Sequence, residues 1–298
     1  MIDKTKILYT FGKSYDISYN QNYFCCVGIN VNIYNLSNGE LKTKIDNIRH
    51  PICSRFTFAK NLIVKTALGD YYIYDLDAMK LIKKITVPHK FDSTTEFIIT
   101  SDSRYIIDFY YNFPHLSLMF IEIDTGKYNI IEIGDSRKCH VFSTEFENTY
   151  YVVSSCVKSK DSPQTKFQEL YELTYNCRGF ELKKMNTCNL GKISTVDYNS
   201  KKFVFADYGN KIMILDIQGE ITDKFEYSKT GIIYDLKLSN NGRYIAIAES
   251  QNVYVYDLNS KQCIYNYEVD YGCFVDFFDN DTKLLIGMWN KGYCVSLD

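Results

Sequence analysis

One tryptophan and 4 prolines occur in 298 residues, and the 10 cysteines include no Cys-x-x-Cys pair. Without such pairs there is no zinc-ribbon or finger framework, because those sites need cysteines and histidines converging at tight spacing. The cysteines are scattered through apparent strands (Cys25, Cys26, Cys156, Cys263) and are expected to be reduced, buried, small apolar groups. No stretch approaches the roughly 18 apolar residues that cross a membrane as a helix. The opening MIDKTKILYTFGKS lacks the long apolar core and small-residue cleavage site of a secretory signal, so a cytoplasmic chain with no membrane partner is expected. Basic residues are not in excess: 34 Lys and Arg stand against 36 Asp and Glu, a formal net charge of −2. No basic stripe marks a nucleic-acid partner. Gly-rich phosphate loops and the G-x-S-x-G elbow are missing too, which leaves neither a cofactor site nor a catalytic set in view.

Aromatics are what the chain has in quantity, with 27 Tyr and 19 Phe, and these suit pleated, half-buried surfaces. A phrase recurs as IYNL (33–36), IYDL (73–76), FIEI (120–123), LYEL (170–173), ILDI (214–217), VYDL (255–258) and CVSL (294–297). Its spacing of about 40 to 50 residues is that of a repeat array. Each phrase is followed by a turn such as SNGE, DTGK or QGE, then a short strand. Each is preceded by a more apolar strand, such as LIVKTAL, YIIDFYY or YIAIAES, which reads as buried on both faces. Before that come another turn, clearest in SNNGR, and one more strand. Each unit therefore holds four strands, a to d, with turns every 8 to 12 residues or so.

Radially repeated four-stranded antiparallel units make a β-propeller. The expectation is a single all-β domain over 1–298 with seven blades, at about 12–46, 52–87, 94–133, 138–186, 191–227, 231–269 and 271–298 plus 4–11. In this reading the N-terminal strand supplies the last blade's fourth strand and closes the ring.

The segment LSNNGRYIAIAESQNVYVYDLNSK resembles a unit of the WD-repeat propellers, in a degenerate form that extends over essentially the whole chain. The Trp-Asp dipeptide is replaced by Tyr34-Asn35, Tyr74-Asp75, Ile121-Glu122, Tyr171-Glu172, Leu215-Asp216, Tyr256-Asp257 and Val295-Ser296, and no Gly-His dipeptide occurs. The resemblance implies an architecture and no particular activity. It implies that d–a and b–c connections share one edge of every blade, here called the top, and that strand a lines a central channel.

On that basis the irregular top connections of blades 2–4 are the expected partner-binding surface, since irregular loops on a rigid scaffold are where binding tends to reside. They hold all 4 prolines and all 4 histidines. The candidate contact residues are His50, His89, Phe91, Tyr110, Tyr111, Phe113, His115, His140, Lys158, Lys160 and Lys166. The candidate channel lining is Asp16, Arg55, Glu96, Asp197, Asp235 and Asp276. The function expected is that of a monomeric, non-catalytic scaffold for another protein or peptide, with no metal and no cofactor. The alternative is a small-molecule binder, or a hydrolase- or lyase-like enzyme, using the channel.

Overall fold

The structure, a computed structural model, describes residues 4–7, 14–18, 20–87, 96–112, 115–134, 136–157, 166–228, 231–288 and 291–297. Every element in it is a strand. Strand β1 (Lys4–Ile7) comes first. Blade 1 follows as β2 (Ser14–Ile17), β3 (Tyr23–Val27), β4 (Val31–Asn35) and β5 (Leu41–Ile45). Blade 2 is β6 (Pro51–Phe56), β7 (Asn61–Thr66), β8 (Asp70–Asp75) and β9 (Lys80–Thr86). Blade 3 is β10 (Ile98–Ile99), β11 (Tyr105–Asn112), β12 (His115–Glu122) and β13 (Tyr128–Gly134). Blade 4 has the longest strands, β14 (Ser136–Ser143), β15 (Thr149–Val157), β16 (Lys166–Asn176) and β17 (Gly179–Cys188). Blade 5 is β18 (Ile193–Asn199), β19 (Lys202–Asp207), β20 (Lys211–Asp216) and β21 (Ile221–Glu226). Blade 6 is β22 (Ile233–Leu238), β23 (Tyr244–Glu249), β24 (Asn252–Asp257) and β25 (Gln262–Glu268). Blade 7 takes β26 (Gly272–Phe278), β27 (Lys283–Met288) and β28 (Gly292–Ser296), and its fourth strand is β1.

Seven sheets of four antiparallel strands make this an all-β, seven-bladed β-propeller. The closing pair is antiparallel, with Lys4 opposite Val295 and Ile7 opposite Gly292. The chain divides into two compact units. One contains residues 8–136 with blades 1–3, and the other contains 1–7 and 137–298 with blades 4–7.

The recurring phrase has a local cause. Its acid ends strand c and folds the next turn onto itself: Asp75, Asp216 and Asp257 each accept the backbone N–H two residues on, at 2.8, 3.0 and 2.8 Å. A hydroxyl does the same work at the a–b turn. Ser18, Thr100 and Ser239 each accept the N–H of the tyrosine five residues later, all at 2.9 Å. An Asp or Ser here replaces backbone partners that the tight turn cannot supply.

Packing explains the apolar b strands. Within each unit, core clusters span neighbouring blades rather than sitting inside one. Cys25, Val27 and Ile33 of blade 1 pack with Leu62, Val64 and Tyr74 of blade 2. Val204 and Ile214 of blade 5 pack with Ile245 and Tyr254 of blade 6. Ala246 and Val255 of blade 6 meet Val275 and Ile286 of blade 7. A strand pressed by sheets on both faces has no solvent side, so alternation disappears. The outermost strands are mostly exposed and keep Leu41, Leu81, Ile82, Ile221 and Ile264 at the surface. Their pairing is broken by bulges beside Tyr34, Tyr74, Leu215 and Tyr256, and a bulge twists an edge away from pairing with another chain.

Candidate functional site

The top edge of each blade carries its b–c turn and its d–a links. Strand a enters from this edge through a repeated bulge. The register skips one residue between Pro51 and Cys53, between Ile193 and Thr195, between Ile233 and Asp235, and between Gly272 and Phe274. The residues left over are Ile52, Ser194, Tyr234 and Cys273. A bulge turns its extra side chain out of the ladder. The residue just before strand a stands beside it and is exposed in each case: His50, Lys192, Ile232 and Tyr271. His50 and Tyr271 occupy the left-handed backbone region, at φ 52° and 61°. For a bulky aromatic that conformation costs about 1–3 kcal/mol and persists only where the surroundings impose it.

Of the predicted contact residues, His50 is therefore on the top edge and exposed. His89, Phe91, Phe113, Lys158 and Lys160 lie outside the described residues. Other placements differ from the loop reading. Tyr110 and Tyr111 belong to β11 and lie opposite Ser117 and Leu116, so residues 111–112 and 115–117 are ladder and not loop. The apolar runs reach Tyr111 and resume at Leu116, and the strands extend with them. His115 opens β12, with its Nδ1 3.2 Å from Glu132 Oε1 on β13. His140 lies inside β14, is buried, and stacks on Phe142 at 6.1 Å, which makes it a packing residue and no part of a loop. Lys166 heads β16 opposite Val157.

The channel-lining candidates have a different task within each unit. Asp16 Oδ2 accepts the N–H of Phe56, one blade on, at 2.6 Å. Asp197 Oδ2 accepts that of Leu238 at 2.8 Å, and Asp235 Oδ2 that of Val275 at 3.2 Å. These carboxylates stitch the first strand of one blade to the first strand of the next. Asp276 accepts the N–H of Phe277 at 2.9 Å. Arg55 donates to the carbonyls of Tyr15 and Ser54, both at 2.9 Å. Burial works against its charge, but Cys53, Asp16 and Glu96 hold the guanidinium above the usual arginine range. Glu96 itself precedes β10 and is exposed.

Burial also raises Asp235 to about 6, an effect that the nearby Lys237 and the Val275 N–H only partly offset. The unfolded chain holds this proton less tightly, near the ordinary 3.8. Between those values the native state binds more protons, so the Asp235 contribution to stability falls as pH rises from about 4 to 6. Asp235→Asn keeps one oxygen for the backbone and removes the charge. Relative to wild type, it should gain about 1–3 kcal/mol between pH 4 and pH 7.5, read from urea midpoints at the two pH values. Parallel pH profiles for the two proteins would contradict this assignment.

Sequence reasoning missed a buried cluster in blades 2 and 3. Lys65 on β7 and Asp108 on β11 are both sealed from solvent, with Nζ 2.8 Å from Oδ1 and 2.7 Å from Oδ2. The Phe109 N–H donates to Oδ1 at 2.6 Å, and the Tyr71 hydroxyl donates to Oδ2. Burial and then Asp108 push the Tyr71 phenol well up, so it remains a donor. The signal was a lysine and an aspartate inside the apolar runs LIVKTAL and YIIDFYY. Ions so placed must pair, because taking a charge out of water costs several kcal/mol.

Exposed large apolar side chains distinguish the edges. Among the described residues, Ile29, Leu68, Tyr208, Ile232 and Tyr271 are exposed at top connections and Tyr234 at the top end of β22, against Phe58 and Phe146 at bottom turns. No group of three or more His, Cys, Asp or Glu able to hold a metal ion occurs among the described residues. No helix among them is long and apolar enough to cross a membrane. No protein-family model matches the chain, and no curated protein is similar to it at a significant level.

Proposed function

We propose that this chain is a non-catalytic, cytoplasmic, monomeric scaffold that binds another protein through top-edge connections, including those of blades 2–4, and that it is a degenerate relative of the WD-repeat propellers. The observation that carries the reading is the unequal distribution of exposed apolar side chains. Tyr208 is 60% exposed, Ile232 64% and Ile29 75%, all at top connections. Nothing in blade geometry requires large apolar groups there, and such residues form the anchors of protein interfaces. The strand-a carboxylates support a scaffold over the channel alternative, because three of them are engaged by backbone N–H groups of the next blade.

The test uses the ladder around the b–c connection of blade 4. Val157 pairs with Lys166, so residues 158–165 can be replaced by a Gly-Asn turn without removing a strand pair. That variant, and Phe113→Ala with His115→Ala, should melt like wild type and capture partner about thirtyfold less well, the loss typical of a truncated anchor. Quantitative mass spectrometry of proteins captured from the native cell reads the effect. Undiminished capture by both variants, with Phe58→Ala or Phe146→Ala abolishing it, would place binding on the opposite edge.

A further inference from the structure

We propose that two copies of this chain pair edge to edge through β17, antiparallel about Leu182, so that their blade 4 sheets join into one. The scaffold reading concerns the single chain, and this inference goes beyond it by coupling two scaffolds as concentration rises.

β17 is the outermost strand of its sheet, with β16 on its inner side. In four blades a bulge interrupts the outer strand near its start. The register passes over Lys42 in β5, Ile82 in β9, Thr222 in β21 and Ile264 in β25. In β17 the residue passed over is Met185, which leaves 179–184 as an unbroken ladder. Among the described outer strands this is the longest such stretch. β13 follows with 128–132, where Glu132 is the one charged side chain.

The blade 4 hairpin also continues past the point where strand c stops elsewhere. In blades 1, 2, 3, 5 and 6 that strand ends at Asn35, Asp75, Glu122, Asp216 and Asp257 of the recurring phrase. The matching residue in blade 4 is Glu172, and β16 runs on to Asn176, roughly 13 Å further at about 3.4 Å per residue. Leu182 lies opposite Leu173, inside this extension. The extension is held in shape. The Tyr175 and Phe180 rings stack at 4.6 Å, and the Tyr175 N–H donates to the Asn148 carbonyl at 2.9 Å. At the tip, Asn176 Oδ1 accepts the Arg178 N–H at 2.8 Å.

Charge selects a second copy as the occupant. An antiparallel pair centred on Leu182 sets Glu181 directly opposite Lys183 of the other copy, and Lys183 opposite its Glu181, on one face of the joined sheet. Both side chains are exposed, and Lys183 also faces Glu172 across the internal ladder. On the other face the half-buried Leu182 meets its counterpart, and Phe180 meets the stem of Lys184, whose ammonium pairs with Glu169. Arg178, at the turn, comes opposite Asn186. The same construction on β5, centred on Thr43, sets Lys42 against Lys44. β9 carries Lys80, Lys83 and Lys84 and no acid. Like charges directly opposite destabilise a strand pair, so those edges repel a second copy where β17 attracts one. The contact is the same patch on both chains, so it closes at two copies.

Sedimentation equilibrium on the full chain reads the pairing. One strand pair buries far less than the roughly 1,600 Å² of a standard interface, so the weight-average mass should climb from one chain toward two between about 10 μM and about 1 mM. Lys183→Glu sets carboxylate opposite carboxylate, and Glu181→Lys sets lysine opposite lysine. Each should weaken pairing by about tenfold or more with an unchanged circular dichroism spectrum, because both side chains are exposed. An equimolar mixture of the two single variants should pair again, since each copy supplies the charge that the other needs. The double variant should pair with itself for the same reason. A wild-type chain that stays single at about 1 mM, single variants that pair as the wild type does, or a mixture that stays single overturns the proposal. Capture of a partner protein through the top edge is read separately by the 158–165 replacement, so the scaffold reading stands or falls by that result alone.

Discussion

Replacing Asp108 by Ala should cost about 3–5 kcal/mol, because Lys65 would keep a charge in a site with no water to solvate it. Lys65 and Asp108 are each no more than 1% exposed, and Asp108 also takes the Tyr71 hydroxyl and the Phe109 N–H. Its removal therefore orphans three donors at once. A domain's whole stability is roughly 5–15 kcal/mol, so a large share would be lost in one step. The double change Lys65→Met with Asp108→Leu should recover most of the loss, since apolar groups of similar size leave only the Tyr71 hydroxyl and one N–H to accommodate. Urea unfolding of the single and double variants separates the alternatives. A single variant within about 1 kcal/mol of wild type would mean that water reaches the pair.

Deleting residues 1–7 should lower the melting temperature by about 5–15 °C. Four residue pairs join β1 to β28, from Lys4 opposite Val295 to Ile7 opposite Gly292. Losing that ladder removes about four hydrogen bonds worth about 0.5–1.5 kcal/mol each, and a kcal/mol shifts a domain of this size by about 2–4 °C. The deletion also leaves β28 as an open edge, which is a template for association, so light scattering should rise together with unfolding. A truncated chain with the wild-type melting curve would show that the pair contributes nothing to stability.

The repeat was legible because its causes are local. The Asp of IYDL and VYDL and the Ser of SNNGR are turn-formers whose bonds reach only two to five residues along the chain, so sequence alone displays them. Bulges were not legible. Nothing in the letters around Tyr234 or Ile52 says that one residue is passed over, because that depends on how strand a meets strand b under the incoming link. The channel list named Asp16, Asp197 and Asp235 for their strand position, but their hydrogen-bond partners lie about 40 residues on, in the next blade, beyond what local spacing can express. Lys65 and Asp108 were visible as charges in apolar runs and unreadable as a pair, since they are 43 residues apart.

The pairing of β1 with β28 also sets the order of events as the chain is made. The other strand pairs described here join neighbours through short connections, so each sheet can begin as soon as its own stretch is synthesised. Ile7 meets a partner about 285 residues later in the chain, and such non-local pairings are the slow ones. At a synthesis rate of roughly 5–20 residues per second, β1 waits roughly 15–60 s without its ladder while six blades assemble behind it. Blade 7 thus works as a latch that can fasten only once β28 has been made, and translation that stops short of β28 leaves β1 unfastened, ready to be recognised by whatever surveys exposed strands.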